Sequence, residues 1–540
     1  MKKTILISIL ILAAVLRLYR LGEFPAGLNA DEAALGYNAY SLLLTGKDEH
    51  GHPWPVNLES FGDFKPAGYA YFLIPFIKVF GLTEFAVRLP SALFGVLAVL
   101  FIYLLIKELT PSEAWAYLGG LSLAISPWHL HFSRGAWEVN ISTTLYLIGI
   151  WSFARWLKVK KLLYLVSCIL NLVASMYFYQ SARVIAPLLG LGLATIYFKD
   201  LIKYPKQITV NLLLLLLLLL PLALSIATSD ARSRLSGVGL LADEGPLNRV
   251  KEFRGHHTSY PLVNKLLHNR PVIYSIQFLK NYFDHFGGNF LFVNGDVIER
   301  NRVPETGLFY LTDFIFLFMG VLSLIRNTHP PIRVIWLWLL VSPVASALTF
   351  QTPHALRAQN MVIPMTIITS TGAYQLLIWA KSKKKIIFIS LIIILINIYV
   401  WQVVRYLHQY YIHYPQTYPS SWEYGFKELV TYVQTVQDGY KQIWITDKYD
   451  QPYILFLFYS RYPPQKFQNN HVLTFRDKFN FSTVRDYDKY HFESAPWEKV
   501  RDVHSTLIVA APEDIPEVSV NIVKTIYFPN NQPAFKIVSN

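Results

Sequence analysis

The amino-acid sequence predicts an α-helical polytopic membrane protein of about 11–13 transmembrane helices, followed by a carboxyl-terminal α/β domain. Of its 540 residues, 53% are hydrophobic and only 16% are charged, a composition much more apolar than that of a soluble domain. Uncharged runs such as NLLLLLLLLLPLALSIA and IIFISLIIILINIYVW approach or reach the length that crosses a bilayer. From residue 406 the polarity becomes ordinary, and the runs KQIWITD and STLIVAAP resemble strands on either side of a helix-like stretch.

The membrane spans can be placed on eleven apolar segments, at residues 4–20, 89–107, 114–129, 140–156, 162–178, 183–198, 208–228, 307–325, 333–350, 359–380 and 386–404. A twelfth apolar stretch, KPAGYAYFLIPFIKVFG at 65–81, is ambiguous because it is short and contains Pro75 and Lys78. It can either span the bilayer or lie at its surface.

The distribution of basic residues decides between these two readings, because cytoplasmic loops are enriched in Lys and Arg. If 65–81 does not cross, one side holds all the basic clusters: Lys2 and Lys3, 155–161, 198–206, 326–333 and 381–385. This arrangement predicts a cytoplasmic amino terminus and an extracytoplasmic carboxyl terminus. It also predicts a membrane domain at 1–405 with outer loops 21–88 and 229–306, and an outer domain at 406–540. The same loop bias explains the net charge of +14 without a nucleic-acid partner.

The amino-terminal segment MKKTILISILILAAVLRLYRLG has the charged and apolar regions of a signal peptide. It lacks a small-x-small cleavage site, so we expect an uncleaved signal anchor. The single cysteine, Cys168, lies in an apolar run, which rules out an intramolecular disulfide.

The unusual polar residues fall on the predicted outer face, and this coincidence predicts a shared external site. Charges near membrane depth are costly and tend to be functional or paired. Each residue also has a simpler explanation: an arginine at a span end can reach the headgroups, and Asn29, Glu32 and Gly46 fit the two ends of a short helix. The candidates are Asp31, Glu32, Asp63, Lys65, Arg88, His131, Arg134, Glu138, Arg183, His354 and Arg357.

Carboxylates beside several cations suit a transfer reaction with an anionic leaving group. A carboxylate can accept a proton from an attacking hydroxyl, while Arg and Lys can hold a phosphate and stabilise the charge it gains on departure. Neighbouring spans would supply an apolar groove for a lipid-linked phosphate. A divalent metal is possible because Asp, Glu and His are present, but no short ligand motif supports one.

Three motifs in the first 200 residues resemble the dolichyl-phosphate-mannose protein mannosyltransferase superfamily and its bacterial relatives, including the aminoarabinose transferase that modifies lipid A. The motifs are R-x-x-x-L…P…L-x-x-D-E-A (Arg17, Leu21, Pro25, Leu28, Asp31, Glu32 and Ala33), D-x-K-P (Asp63, Lys65 and Pro66) and F-G-x-x-E-x-x-x-R-L-P-S (Phe80, Gly81, Glu84 and Arg88 to Ser91). SPWHLHFSR extends the similarity, and PHALR is compatible with it.

The resemblance implies the C-type glycosyltransferase fold (GT-C) and a polyprenyl-phosphate sugar as donor. It implies transfer with inversion to an acceptor hydroxyl on a protein, lipid or glycan outside the membrane. By analogy Asp31 would be the catalytic base, assisted by Glu32. The donor phosphate and sugar would contact the other candidates, chiefly Lys65, Arg88 and Arg134, with Glu138 as a second acidic residue.

One departure from the family narrows the expectation. The eukaryotic mannosyltransferases carry a β-trefoil in a lumenal loop, and the 78-residue loop 229–306 is too short for one. The sequence therefore favours a bacterial-type enzyme.

Two other classes of protein stay open as alternatives. A lipid or glycan transporter would place its polar residues near the bilayer midplane, often in repeated halves, and neither feature is evident. A polymerase or ligase of surface polysaccharide also has many spans and a large outer loop. It has no obvious need for the acidic pair Asp31–Glu32.

Overall fold

The computed structural model describes residues 2–227, 239–256, 261–326, 329–476, 482–516 and 520–540. The chain divides into two compact units. The first consists of Met1–Leu16, Phe94–Phe132 and Glu138–Val404, and the second consists of Arg17–Leu93, Ser133–Trp137 and Arg405–Asn540. The sequence predicted a single boundary near residue 405. In the structure the first loop instead belongs to the same unit as the carboxyl-terminal region.

Helices dominate the described residues, and those of seven residues or more are numbered α1 to α20 here. They are α1 Lys2–Leu18, α2 Ala30–Thr45, α3 Gly68–Phe80, α4 Glu84–Leu109, α5 Glu113–Ile125, α6 Pro127–Arg134, α7 Glu138–Val159, α8 Leu162–Phe178, α9 Ala182–Ile196, α10 Pro205–Ala227, α11 Gly245–His256, α12 Pro261–Leu267, α13 Arg270–Asp284, α14 Leu311–Ile325, α15 Pro330–Val341, α16 Val362–Lys381, α17 Lys385–His408, α18 Phe426–Val436, α19 Pro452–Ser460 and α20 Pro464–Asn470.

Every predicted apolar span overlaps a helix of the structure, which confirms a helical membrane protein. Within the described residues, five helical stretches are long and apolar enough to cross a membrane: Glu84–Leu109, Pro205–Ser225, Pro330–Ala347, Gln359–Lys381 and Lys385–Thr417. The predicted span 140–156 lies in the 22-residue helix α7, and the remaining predicted spans correspond to shorter helices. For example, α5 ends at Ile125 because Pro127 begins a new helix and disfavours helical backbone at the residue before it.

The ambiguous stretch at 65–81 forms α3, which has 13 residues. At 1.5 Å per residue it is about 20 Å long, which is well short of a hydrocarbon core of about 30 Å. Tyr69, Leu73 and Ile77 are buried along one side, whereas Val79 at the end of the helix is 72% exposed. The length of α3 favours the non-crossing reading, and the sidedness of the chain stays a prediction.

In the first unit, α14 and α16 approach closely at two glycines. A Cβ atom on Gly320 would lie 1.9 Å from the carbonyl oxygen of Ile368, and one on Gly372 would lie 1.9 Å from that of Phe316. Such contacts leave no room for a side chain, which is why small residues are typical where membrane helices pack tightly.

The second unit contains the predicted α/β region as a seven-stranded mixed sheet with the order β4-β5-β6-β3-β7-β9-β8. Its central strand β3 is parallel to β6 and to β7, whereas the remaining pairs are antiparallel. The predicted runs KQIWITD and STLIVAAP form β3 and β7. The strands are β3 Gln442–Thr446, β4 His471–Leu473, β5 Val484–Tyr487, β6 Tyr490–Glu493, β7 Thr506–Ala510, β8 Ile522–Tyr527 and β9 Pro533–Ser539. A separate hairpin in the first loop pairs β1 Asn57–Ser60 with β2 Asp63–Pro66.

Candidate active site

Helix α2 begins with the capping arrangement that the sequence predicted. The Oδ1 atom of Asn29 accepts a hydrogen bond from the backbone N–H of Glu32 at 3.1 Å, and the backbone N–H of Asn29 donates to Oε2 of Glu32 at 3.4 Å. At the other end, Gly46 adopts the left-handed conformation with φ of +70°, which closes the helix. These caps place Asp31 and Glu32 in the first helical turn.

The β1–β2 hairpin places Lys65 beside Asp31. Its two-residue turn, Phe61 and Gly62, has φ angles of +59° and +68°, as the type I′ turn of a tight hairpin requires. The ammonium group of Lys65 forms an ion pair and hydrogen bond with Oδ1 of Asp31. It also lies 4.6 Å from the centre of the Phe61 ring, a distance at which a cation is attracted by the ring face.

Exposure separates the two adjacent acids, and this difference bears on what each can do. The Asp31 side chain is 33% exposed and that of its partner Lys65 is 14% exposed. The Glu32 side chain is completely buried. Only Asp31 can be reached by an incoming hydroxyl without a change in the surrounding structure.

Glu32 is held by four hydrogen bonds. Arg88 donates from Nε to Oε1 at 2.9 Å and from Nη2 to Oε2 at 2.8 Å, which is the bidentate geometry of strong arginine–carboxylate pairs. The backbone N–H of Ala136 donates to Oε1 at 2.8 Å, and Asn29 supplies the fourth bond. These donors occupy both carboxylate oxygens, so Glu32 joins the start of α2 to α4 and to the segment that follows α6.

Arg88 also fixes the loop that leads into α2. Its Nη1 donates to the carbonyl oxygens of Leu21 at 3.3 Å and Pro25 at 2.9 Å, and its Nη2 donates to that of Gly27 at 2.5 Å. Together with the two bonds to Glu32, these contacts occupy all five N–H groups of the guanidinium. The geometry therefore favours a positioning role for Arg88 over the phosphate contact that the sequence suggested.

Arg134 also donates hydrogen bonds to the segment that leads into α2. Its Nη1 donates to the carbonyl oxygen of Arg17 at 3.1 Å, and its Nη2 donates to those of Tyr19 at 2.8 Å and Phe24 at 3.3 Å. Its Nε donates to the hydroxyl of Tyr410 at 3.3 Å. A buried cation at the carboxyl end of α1 satisfies carbonyls that the helix leaves open.

The remaining second-unit candidate, Asp63, is buried on β2, where its Oδ1 accepts from the backbone N–H of Phe64 at 2.8 Å. The other candidates belong to the first unit. There Glu138 begins α7 as a buried residue, and Nε of Arg183 donates to the carbonyl oxygen of Met176 at 3.4 Å.

His131, His354 and Arg357 hold loop segments of the first unit. The Nε2 atom of His131 lies 2.8 Å from the carbonyl oxygen of Arg300, and Nη1 of Arg357 donates to Oγ1 of Thr349 at 2.7 Å. His354 lies in the loop before α16, with its Nδ1 3.7 Å from Oδ2 of Asp296.

Asp296 was not a candidate from the sequence, yet it organises this loop. It is fully buried, and its Oδ2 accepts from the backbone N–H of Ala355 at 2.6 Å and from Nδ2 of Asn301 at 3.0 Å. Burial raises the pKa of Asp296. The signal that could have revealed it is an acid in the apolar, glycine-containing run FVNGDVI.

His285 is a second residue that sequence reasoning missed. Its Nε2 accepts from the backbone N–H of His354 at 3.2 Å and lies 2.8 Å from Oγ of Ser346. The proton therefore sits on Nδ1, which donates to the carbonyl oxygen of Asn281 at 2.7 Å. Burial lowers the pKa of His285 to about 4, in agreement with a neutral imidazole.

A third missed residue is Glu49, in the second unit. It is fully buried, and Oγ of Ser60 donates to its Oε1 at 2.8 Å. Burial raises the pKa of its carboxyl to about 8. Among the residues that the structure describes, no cluster of three or more His, Cys, Asp or Glu side chains has the geometry of a metal site.

Comparison with known proteins identifies the fold. Residues 64–240 match the family described as dolichyl-phosphate-mannose-protein mannosyltransferase, whereas a sequence comparison with curated proteins gave no match. The crystal structure of ArnT from Cupriavidus metallidurans in the apo state is similar over 99% of this chain and 97% of that chain, with a TM-score of 0.56 and 11% identity.

Two further structures are similar to this chain. ArnT from the same organism bound to undecaprenyl phosphate gives a TM-score of 0.53 at 11% identity, again over 99% of this chain and 97% of that one. The oligosaccharyltransferase AglB from Archaeoglobus fulgidus, in complex with an inhibitory peptide and a dolichol-phosphate, gives 0.51 at 13% identity over 85% of this chain and 63% of that one. The chain thus has the GT-C fold of integral-membrane glycosyltransferases, and its residues 64–240 match the dolichyl-phosphate-mannose-protein mannosyltransferase family.

Proposed function

We propose that this protein is an inverting glycosyltransferase that moves a sugar from a polyprenyl-phosphate donor to an acceptor hydroxyl on the outer face of the membrane. The accessible Asp31–Lys65 pair, at the capped start of α2, carries this proposal. The GT-C fold supports it, since the similar ArnT and AglB structures contain undecaprenyl phosphate and a dolichol-phosphate.

In the proposed reaction Asp31 is the general base. The acceptor oxygen attacks the anomeric carbon from the side opposite the phosphate, and the bond between that carbon and the phosphate oxygen breaks. The hydroxyl proton passes to the Asp31 carboxylate, and the bonding electron pair leaves with polyprenyl phosphate. Attack from the opposite face inverts the anomeric configuration. A positioned base of this kind contributes about 10²–10⁴-fold to the rate.

Lys65 is proposed to stabilise the leaving phosphate. In the structure its ammonium contacts the base itself, so one cation can serve the carboxylate before reaction and the phosphate as its negative charge grows. Electrostatic groups placed where charge develops often provide the largest catalytic contribution. The positive end of the α2 dipole lies at the same turn.

We assign Glu32, Arg88 and Arg134 a positioning role. The sequence suggested that Glu32 takes part in the chemistry and that both arginines contact the donor. Their hydrogen bonds instead join α2, α4 and the 17–27 loop into one frame. The frame fixes the backbone that presents Asp31.

The other candidates remain proposed contacts to donor phosphate or sugar: Asp63, His131, Glu138, Arg183, His354 and Arg357. The acceptor can be a protein, a lipid or a glycan, and the sugar can be a hexose or a pentose.

The transfer reaction can be tested with the purified protein in vesicles that contain radiolabelled polyprenyl-phosphate sugars. We expect one donor of the panel to yield free polyprenyl phosphate only when an acceptor is added, with NMR showing an inverted anomeric configuration in the product. Acceptors can be found by mass spectrometry of extracellular glycoconjugates from a deletion strain. Retention of configuration would contradict the single-displacement mechanism.

The proposed sidedness has its own test. A Lys158→Cys variant places a thiol in the last turn of α7, within the basic segment 155–161, and native Cys168 is buried. We expect this thiol to resist an impermeant reagent in intact cells and to react after lysis. Labelling from outside would show that the site residues do not share the outer face.

A further inference from the structure

A cleft of about 870 Å³ opens in the second unit, and its volume is within the range of small-molecule binding sites. Most of its lining comes from the 20–27 loop, the segment after α17 and helix α18, and further residues come from α4, α19, β8 and the turn after β8. Asp31 and Lys65 are not among its described lining residues. Gly27 belongs both to this lining and to the frame formed by Glu32, Arg88 and Arg134, because its carbonyl oxygen accepts a hydrogen bond from Arg88.

Each cation along the described lining of this cleft is already paired with an acid. The three cations each pair with a lining carboxylate: Arg20 with Glu23, Lys427 Nζ with Glu84 Oε1 at 2.8 Å, and Lys524 Nζ with Glu428 Oε1 at 2.8 Å. A fourth lining acid, Glu423, leaves one excess formal negative charge. An anionic ligand such as a phosphate would therefore be disfavoured, and a neutral ligand would not.

Aromatic side chains give the cleft its apolar surface, and all five are half-buried: Phe24, Tyr411, Tyr424, Tyr432 and Tyr459. Several of these rings are already covered. Arg20 lies 4.8 Å from the centre of the Phe24 ring, and Lys524 lies 4.9 Å from that of Tyr432. The Tyr424 ring lines the cleft and forms no stacking or cation contact with a described residue.

Hydroxyl groups on α18 complete the lining. Thr431 Oγ1 donates to the carbonyl oxygen of Lys427 at 2.7 Å, and Thr435 Oγ1 donates to that of Tyr432 at 2.7 Å. Their protons are used within the helix, and their oxygens remain as acceptors. The carboxylates of the lining are also acceptors, so the cleft is matched to a ligand that is rich in O–H donors.

We propose that this cleft binds a neutral saccharide, with the sugar ring stacked on Tyr424. A pyranose has an apolar face of C–H groups that can pack on an aromatic ring, and a rim of hydroxyls that can donate to the threonines and glutamates. The proposal goes beyond the proposed transfer reaction, because equilibrium binding here requires neither the donor nor Asp31.

The test is a ligand-observed NMR titration of the full chain in a zwitterionic detergent without a sugar headgroup. The probes are linear mannotriose, maltotriose, anionic trigalacturonate and the peptide acetyl-Ser-Thr-Ser-amide. We expect at least one neutral trisaccharide to bind at least tenfold more tightly than trigalacturonate and the peptide. The result should be the same in the Asp31→Asn variant, which distinguishes this proposal from the transfer mechanism.

Variants localise the binding. Tyr424→Ala should weaken trisaccharide binding about tenfold, the loss expected for an aromatic stacking surface, whereas Tyr424→Phe should preserve it. Tyr527→Ala, at a 54% exposed tyrosine of β8, is the matched control and should change nothing. An unchanged unfolding midpoint shows that each variant is folded.

A charge-reversal variant tests whether the negative charge of the lining disfavours an anionic ligand. Glu428→Lys, at a side chain that is 55% exposed, should raise the affinity for trigalacturonate. The proposal is overturned if no neutral trisaccharide binds, if Tyr424→Ala binds as the wild type does, or if the peptide is the preferred probe.

Discussion

Replacing Arg88 by methionine tests whether this arginine holds the protein together or binds the donor. Methionine fills a similar volume but offers no N–H group. The variant leaves the Glu32 carboxylate buried without its cation, and it removes three hydrogen bonds to loop carbonyls.

The structure gives the expected size of the effect. Both side chains of the pair are completely buried, and removing one partner of such a pair costs about 3–5 kcal/mol because the other charge is left uncompensated. For a domain of roughly 150–250 residues, about 1 kcal/mol shifts Tm by about 2–4 °C. We therefore expect Arg88→Met to lower the unfolding midpoint by about 10 °C, and Glu32→Gln/Arg88→Met to recover part of the loss.

The assay is thermal unfolding of the detergent-solubilised protein followed by tryptophan fluorescence, with the donor KM measured below the unfolding range. Lys448→Met is the control, since the Lys448–Glu513 pair is 44% and 58% exposed and such pairs contribute about 0–1 kcal/mol. If Arg88→Met shifts the midpoint no more than this control while raising the donor KM, Arg88 contacts the donor and the positioning role is wrong.

Three further predictions concern other parts of the chain. Burial raises the pKa of Glu49 to about 8 in the folded protein, against an ordinary value of 4.5. Between these two pH values the folded protein retains a proton that the unfolded chain releases. The free energy of unfolding therefore falls by up to about 4 kcal/mol as the pH rises from about 5 to 8. Glu49→Gln should flatten this pH dependence of the unfolding midpoint, and a persistent slope would show that another group causes it. Gly372→Ala should cost about 2 kcal/mol by overpacking α14 against α16, whereas Gly190→Ala, whose Cβ meets nothing within 4 Å, should be neutral in the same unfolding assay. Lys65→Met should lower kcat for transfer by about 10²–10³-fold with partial rescue by Lys65→Arg, and an unchanged kcat would remove Lys65 from the mechanism.

Local signals in the sequence predicted those parts of the site that depend on neighbouring residues. Asn29, Glu32 and Gly46 define the ends of α2 because capping needs only residues within one turn. The apolar runs predicted the helices for a similar reason, since a span is recognised by its own composition. The strand-like runs around α19 predicted the α/β region, although neither the strand order nor the pairing could be read from them.

The roles of the buried charges depend on distant partners, and the sequence could not supply them. Arg88 and Arg134 have the charge expected of phosphate ligands. In the structure they bond to an acid, to backbone carbonyls and to a tyrosine hydroxyl that lie 56 to 276 positions away in the chain. Asp296 was missed because its hydrogen-bond donors are backbone N–H groups and the amide of Asn301, which no sequence pattern identifies.

The most direct test of the central claim is the transfer rate of the Asp31→Asn variant with a radiolabelled polyprenyl-phosphate sugar in reconstituted vesicles. Asparagine keeps the size of the side chain but accepts a proton poorly. We predict that turnover falls by about 10²–10⁴-fold with an unchanged unfolding midpoint, while Asp438→Asn, at a fully exposed position, retains full activity. Wild-type turnover by Asp31→Asn would contradict the assignment of Asp31 as the catalytic base.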